Sequence, residues 1–389
     1  MIAEPLALSA ITAVSAMGHG RAATLAALLE GRSGLRPNDF DGGGWIGRVA
    51  DIERHELPDR LSEYDCRNNR LADMALQTDG FAAKVAAAVS RHGADRVAVV
   101  LGTSTSGVLS CEDAYAARGP DGALPDAFDY AHTHDMFSCA RYVRVALGLR
   151  GPALVVSTAC ASSAKTLIDA GHLIRAGLCD AAIVGGVDTL CRLTLRGFAA
   201  LELISPNPCQ PCDAARSGIS IGEAAGFALL ERSDGPLLLL GAGATSDGYH
   251  MSAPHPEGQG AIGAMRDAIA AAGLAPSDID YVNLHGTATR ANDAMEDAAV
   301  SAVFGPGMAC SSTKAWSGHT LGACGILGTV IVGLAIEHGF LPGCLGLDTP
   351  DPAFRGGVLA TNAHRPVRRA AVNSFGFGGV NCTLVLGAA

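Results

Sequence analysis

Short apolar runs alternate with longer Ala-rich stretches of helical period along most of the chain. Leu6–Val14 reads as a buried strand followed by a turn at Gly18. Arg96–Leu101, closed by Gly102, and Ala153–Ser157 read as further strands. Ala181–Val184 reads as another, ended by Gly185 and Gly186. Between the last two, Ala161–Ala176 carries Leu167, Ile168 and Leu173 at helical spacing. A strand–helix–strand unit of this kind predicts a parallel sheet. The texture restarts after Arg232–Pro236, with a strand at Leu237–Leu240, a helix at Ala261–Ala272 and a strand at Tyr281–Leu284. Leu341–Leu345 and Val380–Leu386 read as late strands, and Pro342 confines the first of these to an edge or a strand start. The pattern predicts an α/β protein in two halves of similar texture, 1–235 and 236–389. The junction Ser233–Pro236 is too short to hold them apart, so they are expected to pack into one body.

Composition narrows the function classes. Apolar residues make up 49% and charged residues 17%, which excludes a disordered chain. The balance of 28 Lys+Arg against 38 Asp+Glu leaves a net charge of −10 and no cationic excess for a nucleic acid partner. Ile326–Ile336 is apolar but too short for a membrane span. The apolar first seventeen residues carry Glu4 and Pro5 where a leader has basic residues, and the first Arg is Arg21. A buried strand is the better reading. The 12 cysteines are scattered through apolar contexts in a chain long enough to bury a core without disulfides, which predicts a reducing cytoplasm. Cys209 and Cys212 form a CxxC without the two further ligands that zinc needs. His132 and His134 form an HxH without a carboxylate cluster. No metal or other cofactor is expected.

Three residues stand where chemistry is often placed. Cys160 follows a strand and precedes a helix, a corner at which free N–H groups and the helix dipole favour a thiolate. Its own N–H could donate to an oxyanion. His285 ends an apolar strand before a small-residue turn, and His319 lies in a Gly-rich segment. Phe377 sits in the turn Asn373–Asn381, whose glycines permit a mobile loop. Taken singly, each also reads as an ordinary core or turn residue.

Their order changes the picture. Cys160 after Thr158-Ala159, then His285-Gly286-Thr287-Ala288-Thr289, then Ser312-Thr313-Lys314 leading to Gly318-His319, then Phe375–Gly379 with Asn381, together resemble the β-ketoacyl-acyl-carrier-protein synthases. Ser246–Ser252 and Asp213–Gly226, with Arg216 and Glu223, are similar to two further segments of that family, and the likeness extends from Val97 to Leu386. The resemblance implies a thiolase fold: two similar βαβαβαββ halves in five αβαβα layers, the first carrying the cysteine and the second both histidines. It implies an acyltransferase that condenses malonyl-acyl-carrier protein with an acyl group on Cys160, in fatty-acid, polyketide or aryl-polyene chain elongation.

The resemblance also assigns roles. Cys160 is the nucleophile, His285 and His319 stand beside it, and Lys314 orders their hydrogen bonds. The N–H groups of Cys160 and Phe377 form the oxyanion site, with Phe377 as gate. Thr287, Thr289, Ser252 and Phe198 meet the substrate, Asp293 and Glu296 are structural, and Arg67 and Arg70 dock the carrier. The expected partners are acyl- and malonyl-loaded carrier protein and a second subunit. That subunit is either another copy or a ketosynthase-like chain-length partner, paired along the strand near 153–157, with Phe128–Cys139 bordering the acyl pocket. Two other readings remain open: acyl transfer without elongation, and a non-catalytic chain-length subunit. The chain departs from the pattern at Ala288, Arg290 and Asn292, and at Gly328, where many elongating relatives carry glutamate.

Overall fold

In a computed structural model, which describes residues 4–389, all the predicted strands except the one at Leu341–Leu345 share one hydrogen-bonded path. Residues 1–3, part of the apolar opening, lie outside the described residues. The order is Gly357–Val358, Ala309–Ser311, Tyr281–Asn283, Arg369–Phe375, Val380–Ala388, Leu237–Ser246, Leu6–Ser15, Ala224–Glu231, Ala181–Asp188, Val97–Gly102, Ala153–Val156. The two halves meet where Leu6 and Ala7 pair with Leu239 and Leu238. Val97–Gly102 runs parallel to both Ala153–Val156 and Ala181–Asp188, so the strand–helix–strand unit forms as its spacing predicts. Tyr281–Asn283 has the matching place in the second half, parallel to Ala309–Ser311 and Arg369–Phe375.

Helices fill three layers around these strands. Ser162–Arg175 and Cys324–His338 pack on each other at the centre. The first lies on Val97–Gly102 and Ala181–Asp188, the second on Arg369–Phe375 and Ala224–Glu231. Arg67–Leu76 and Phe81–His92 cover the outer face of the first half; Gln259–Ala271 covers that of the second and carries Arg290–Phe304 against it. The result is the αβαβα order of the thiolase fold. At Gly325 the central helices touch so closely that a Cβ would stand 2.6 Å from the backbone nitrogen of Ala164. That contact fixes the helix leaving Cys160 against the helix that follows His319.

Three local expectations change. Gly185 and Gly186 do not end their strand, which continues to Asp188. Gly185 has φ +139, and a Cβ there would lie 2.1 Å from the Gly226 carbonyl oxygen, so glycine lets neighbouring strands close up. The late strand read at Leu341–Leu345 is only Phe340–Leu341, paired with Ala363–His364, because Pro342 stops it. The apolar run at Ile326–Ile336 belongs to a longer segment, Leu321–His338, with mean hydropathy 1.7. Its length and composition would suit a bilayer, yet 78% of it is buried between the two sheets, where an all-round apolar surface is what packing requires.

Candidate active site

The strand Ala153–Val156 leads into a corner whose strained residue is Ala159, with φ +49, one position before the cysteine. Ser162 Oγ accepts the Thr158 N–H at 2.9 Å and donates to the Ala159 carbonyl at 2.6 Å, which holds the bend. Cys324 Sγ donates to the Cys160 carbonyl at 3.0 Å from the central helix. Cys160 is thereby fixed, 5% exposed, just before Ser162–Arg175.

The histidines are set by different means. The N–H groups of His285 and Gly286 donate to Glu296 at 2.8 and 2.7 Å, and Asn373 Nδ2 donates to the same carboxyl at 3.0 Å. Burial pushes Glu296 up to about 7, against these three donors. Lys314 Nζ donates to the His285 carbonyl. Ala288, with φ +67, is buried at the position where the motif has glycine, a strain of about 1 kcal/mol. His319 is held through its main chain, whose N–H donates to the Ser220 carbonyl at 2.7 Å and whose carbonyl accepts the Gly222 N–H at 2.9 Å.

His319 Nε2 lies 3.0 Å from Cys160 Sγ, and the rings of His285 and His319 stand edge to face at 5.3 Å. The Leu321 N–H donates to His319 Nδ1 at 3.2 Å, so Nδ1 is the acceptor nitrogen and Nε2 carries the proton. Burial pushes both imidazoles well below the usual histidine range, helped by the Lys314 charge, and for His285 by His319. Burial also pushes the Cys160 thiol far up, as does neighbouring Cys324, while the Lys314 charge and the Phe377 N–H oppose it. Burial thus favours the thiol and opposes the thiolate expected from the helix terminus. Two neutral rings and a thiol result.

One sulfur and one nitrogen from each ring lie within 4.8 Å of one another, a spacing metal ligands also show. Their surroundings do not fit a metal. A ligating imidazole passes its other N–H to an acceptor. His319 Nδ1 instead faces a donor, and His285 Nδ1 has no partner among the described residues. The other metal-like pairs are occupied too. His132 Nδ1 bonds Asp129 Oδ2 at 2.6 Å. Cys209 and Cys212 are buried apart, with Cys209 Sγ against the Lys314 carbonyl and the Cys212 N–H on Asp293.

A pocket of about 540 Å³ opens onto Cys160, His285 and His319. Phe198, Ser252, Thr287, Thr289 and Phe377 all line it. Phe377 packs against Phe198 with ring centres 5.5 Å apart and planes tilted by 40°. Thr287 and Thr289 share a 2.9 Å hydroxyl bond, and Thr289 Oγ1 caps the helix Arg290–Phe304. Lys314 lies behind the rings rather than in the lining.

The structure turns Arg67 away from the surface that a docking role needs, and leaves Arg70 partly exposed. The Arg67 side chain is 9% exposed and forks onto the fully buried Glu223 at 2.9 and 2.7 Å. Its length turned inward because Glu223 needs a buried counter-ion. Arg70 is half-buried and paired with Asp65. Gly328 faces Val372 and Asn283, whose side-chain atoms would lie 2.9 and 3.0 Å from a Cβ, so a larger residue there requires these side chains or the helix to shift. One organising residue escaped notice in the sequence. Asp188 is fully buried and accepts from Thr103, Ser104, Thr105 and the Gly322 N–H, tying three loops around the cysteine. No sequence signal pointed to it, because the strand it ends was read as stopping at Gly185 and Gly186.

Residues 3–235 match the family model of the β-ketoacyl synthase N-terminal domain, and residues 238–348 that of the C-terminal domain. The chain belongs to the β-ketoacyl synthase family. Curated relatives include 3-oxoacyl-[acyl-carrier-protein] synthase 2 of Coxiella burnetii, 31% identical over 97% of each chain. Nodulation protein E of Rhizobium leguminosarum bv. trifolii is 32% identical, also over 97% of each. Among solved structures, a chain of the complex of the ketosynthase ApeO with its chain length factor ApeC, from Xenorhabdus doucetiae, superposes with a TM-score of 0.92. It is 38% identical and matches over 99% of this chain and 98% of that one. The ishigamide ketosynthase/chain length factor gives 0.90 at 28% identity over the whole of both chains. In this β-ketoacyl synthase the cysteine, both histidines and the loop Phe375–Gly379 converge on one pocket.

Proposed function

We propose that this β-ketoacyl synthase, an acyltransferase, condenses malonyl-acyl-carrier protein with an acyl thioester on Cys160. The observation that carries the reading is the 3.0 Å approach of a protonated, neutral His319 Nε2 to a buried thiol at the end of a pocket. Acylation is a thioester exchange. Cys160 Sγ bonds the acyl carbon, the arm's sulfur leaves, and the thiol proton passes to that sulfur. The N–H groups of Cys160 and Phe377 hold the tetrahedral oxyanion. His319 Nε2–H and the Lys314 charge steady the thiolate as it forms.

Malonyl thioester then loses CO2, and its electron pair becomes an enolate. His319 Nε2–H and the His285 ring hold the enolate oxygen as neutral donors, so the carbanion is stabilised without being protonated. The carbanion attacks the thioester carbon, the C–S bond breaks, and one proton from solvent restores the Cys160 thiol. Phe377 swings off Phe198 to admit the arm alongside Thr287 and Thr289.

Arg70 keeps a secondary place in carrier docking, and Arg67 none. The halves 1–235 and 236–389 act as one unit, with the nucleophile on the first and both rings on the second. The partner subunit pairs along Ala153–Val156, which ends the sheet with Leu154 43% exposed. The solved ketosynthase/chain length factor complexes favour a chain-length subunit in that place, and a specialised polyketide or polyene pathway. Twelve free thiols, most of them buried, suit the cytoplasm.

Intact mass spectrometry of the carrier tests the reaction. An acyl-carrier panel, malonyl-carrier and the protein should give a carrier-bound chain two carbons longer, with none from Cys160→Ala. Acylated Cys160 without elongated product, with a chain-length subunit supplied, would instead mean acyl transfer alone.

A further inference from the structure

The segment from His285 to Arg290 runs outward along the pocket wall. His285 and Thr287 are buried, Thr289 is half-buried and Arg290 is exposed, and all four line the pocket. Arg290 brings a full positive charge to the mouth. It forms no ion pair among the described residues. Asp351, whose carboxyl Arg290 helps hold low after Arg216 has done most, is engaged by Arg216 Nη1 at 2.6 Å. The other charged lining residues, Glu202 and Asp247, are acidic. Asp247 is occupied by Asn381 Nδ2 and the His255 N–H.

The substrate's arm carries one anion of its own. Extended phosphopantetheine sets its phosphorus roughly 16 Å from its sulfur by standard bond lengths. An arm with its thioester at the buried Cys160 therefore carries its phosphate out toward the exposed rim of the pocket, where Arg290 lies in the lining. We propose that Arg290 is a specificity-determining residue that reads the phosphate of the carrier's arm at the pocket mouth. The inference rests on the carrier-dependent reading above. Glu202 works against it, repelling the same anion, so the guanidinium is what makes the mouth selective. A guanidinium–phosphate contact at an exposed mouth is worth about tenfold in binding.

The test needs no turnover, so its failure is separate from failure of the condensation reading. Cys160 is alkylated with iodoacetamide in the presence of S-methylpantetheine or its 4′-phosphate, whose capped sulfur does not consume the reagent. In the wild type, the phosphorylated arm should protect at about tenfold lower concentration. In Arg290→Ala the two arms should protect alike, and Arg290→Lys should restore part of the difference. Inorganic phosphate alone should not protect. An unchanged phosphate preference in Arg290→Ala, or none in the wild type, would overturn the proposal. Protection as expected with no elongated carrier would leave this assignment standing and sink the condensation reading instead.

Discussion

Arg67→Ala separates an internal role for this arginine from a docking role. Glu223 is fully buried, and Arg67 supplies two of the four hydrogen bonds its carboxylate accepts. The others come from the Val49 and Leu190 N–H groups at 2.9 and 3.0 Å. Removing one member of a buried pair costs about 3–5 kcal/mol, because the remaining charge stays desolvated. The two backbone donors persist, so the lower end, about 3 kcal/mol, is expected. The urea midpoint should fall accordingly, with part of the loss recovered in Arg67→Leu combined with Glu223→Gln, which removes both charges. Carrier KM, measured at a temperature where the variant is folded, should stay within twofold. A wild-type midpoint with a raised carrier KM would refute the reasoning and return Arg67 to the docking surface.

Two further outcomes follow from the same contacts. With the Cys160 thiol pushed up by burial, the thiolate fraction rises with pH over the whole working range. Iodoacetamide alkylation should therefore accelerate about tenfold per pH unit from 7 to 9 without a plateau; a plateau below pH 7 would mean a resting thiolate. Gly328→Glu should lower the melting temperature by several degrees without raising turnover. Its Cβ alone meets Val372 and Asn283, and its charge has no room to leave the central layer. A soluble, fully stable variant would show that the helix Cys324–His338 can shift to receive it.

The strands were legible where an apolar run met a residue that stops it, as at Gly102 before the Cys160 corner. They were misread where glycine served a different end, as at Gly185, which stays inside its strand to let backbones approach. Cys160 and His319 were recognisable only through the order of their motifs, since they stand 159 positions apart and no local pattern joins them. Arg67 was misjudged for a related reason. A basic residue at the start of an amphipathic helix looks solvated until Glu223, 156 positions away, turns it inward. The His319 tautomer had no side-chain signal, because the Leu321 backbone sets it. The resting thiol was hidden too: the corner and its helix were legible, while the burial that opposes the dipole belongs to the packed state.

The central claim is that the two imidazoles act on the enolate as neutral donors and that His285, unlike His319, is dispensable for loading the cysteine. The direct measurement is release of labelled CO2 from malonyl-carrier by wild type and His285→Ala, with acylation of Cys160 followed by intact mass in the same samples. The account predicts that His285→Ala loses at least a hundredfold in CO2 release, the scale of one lost oxyanion donor, while Cys160 is acylated within a few-fold of the wild-type rate. Equal loss of both steps would contradict it.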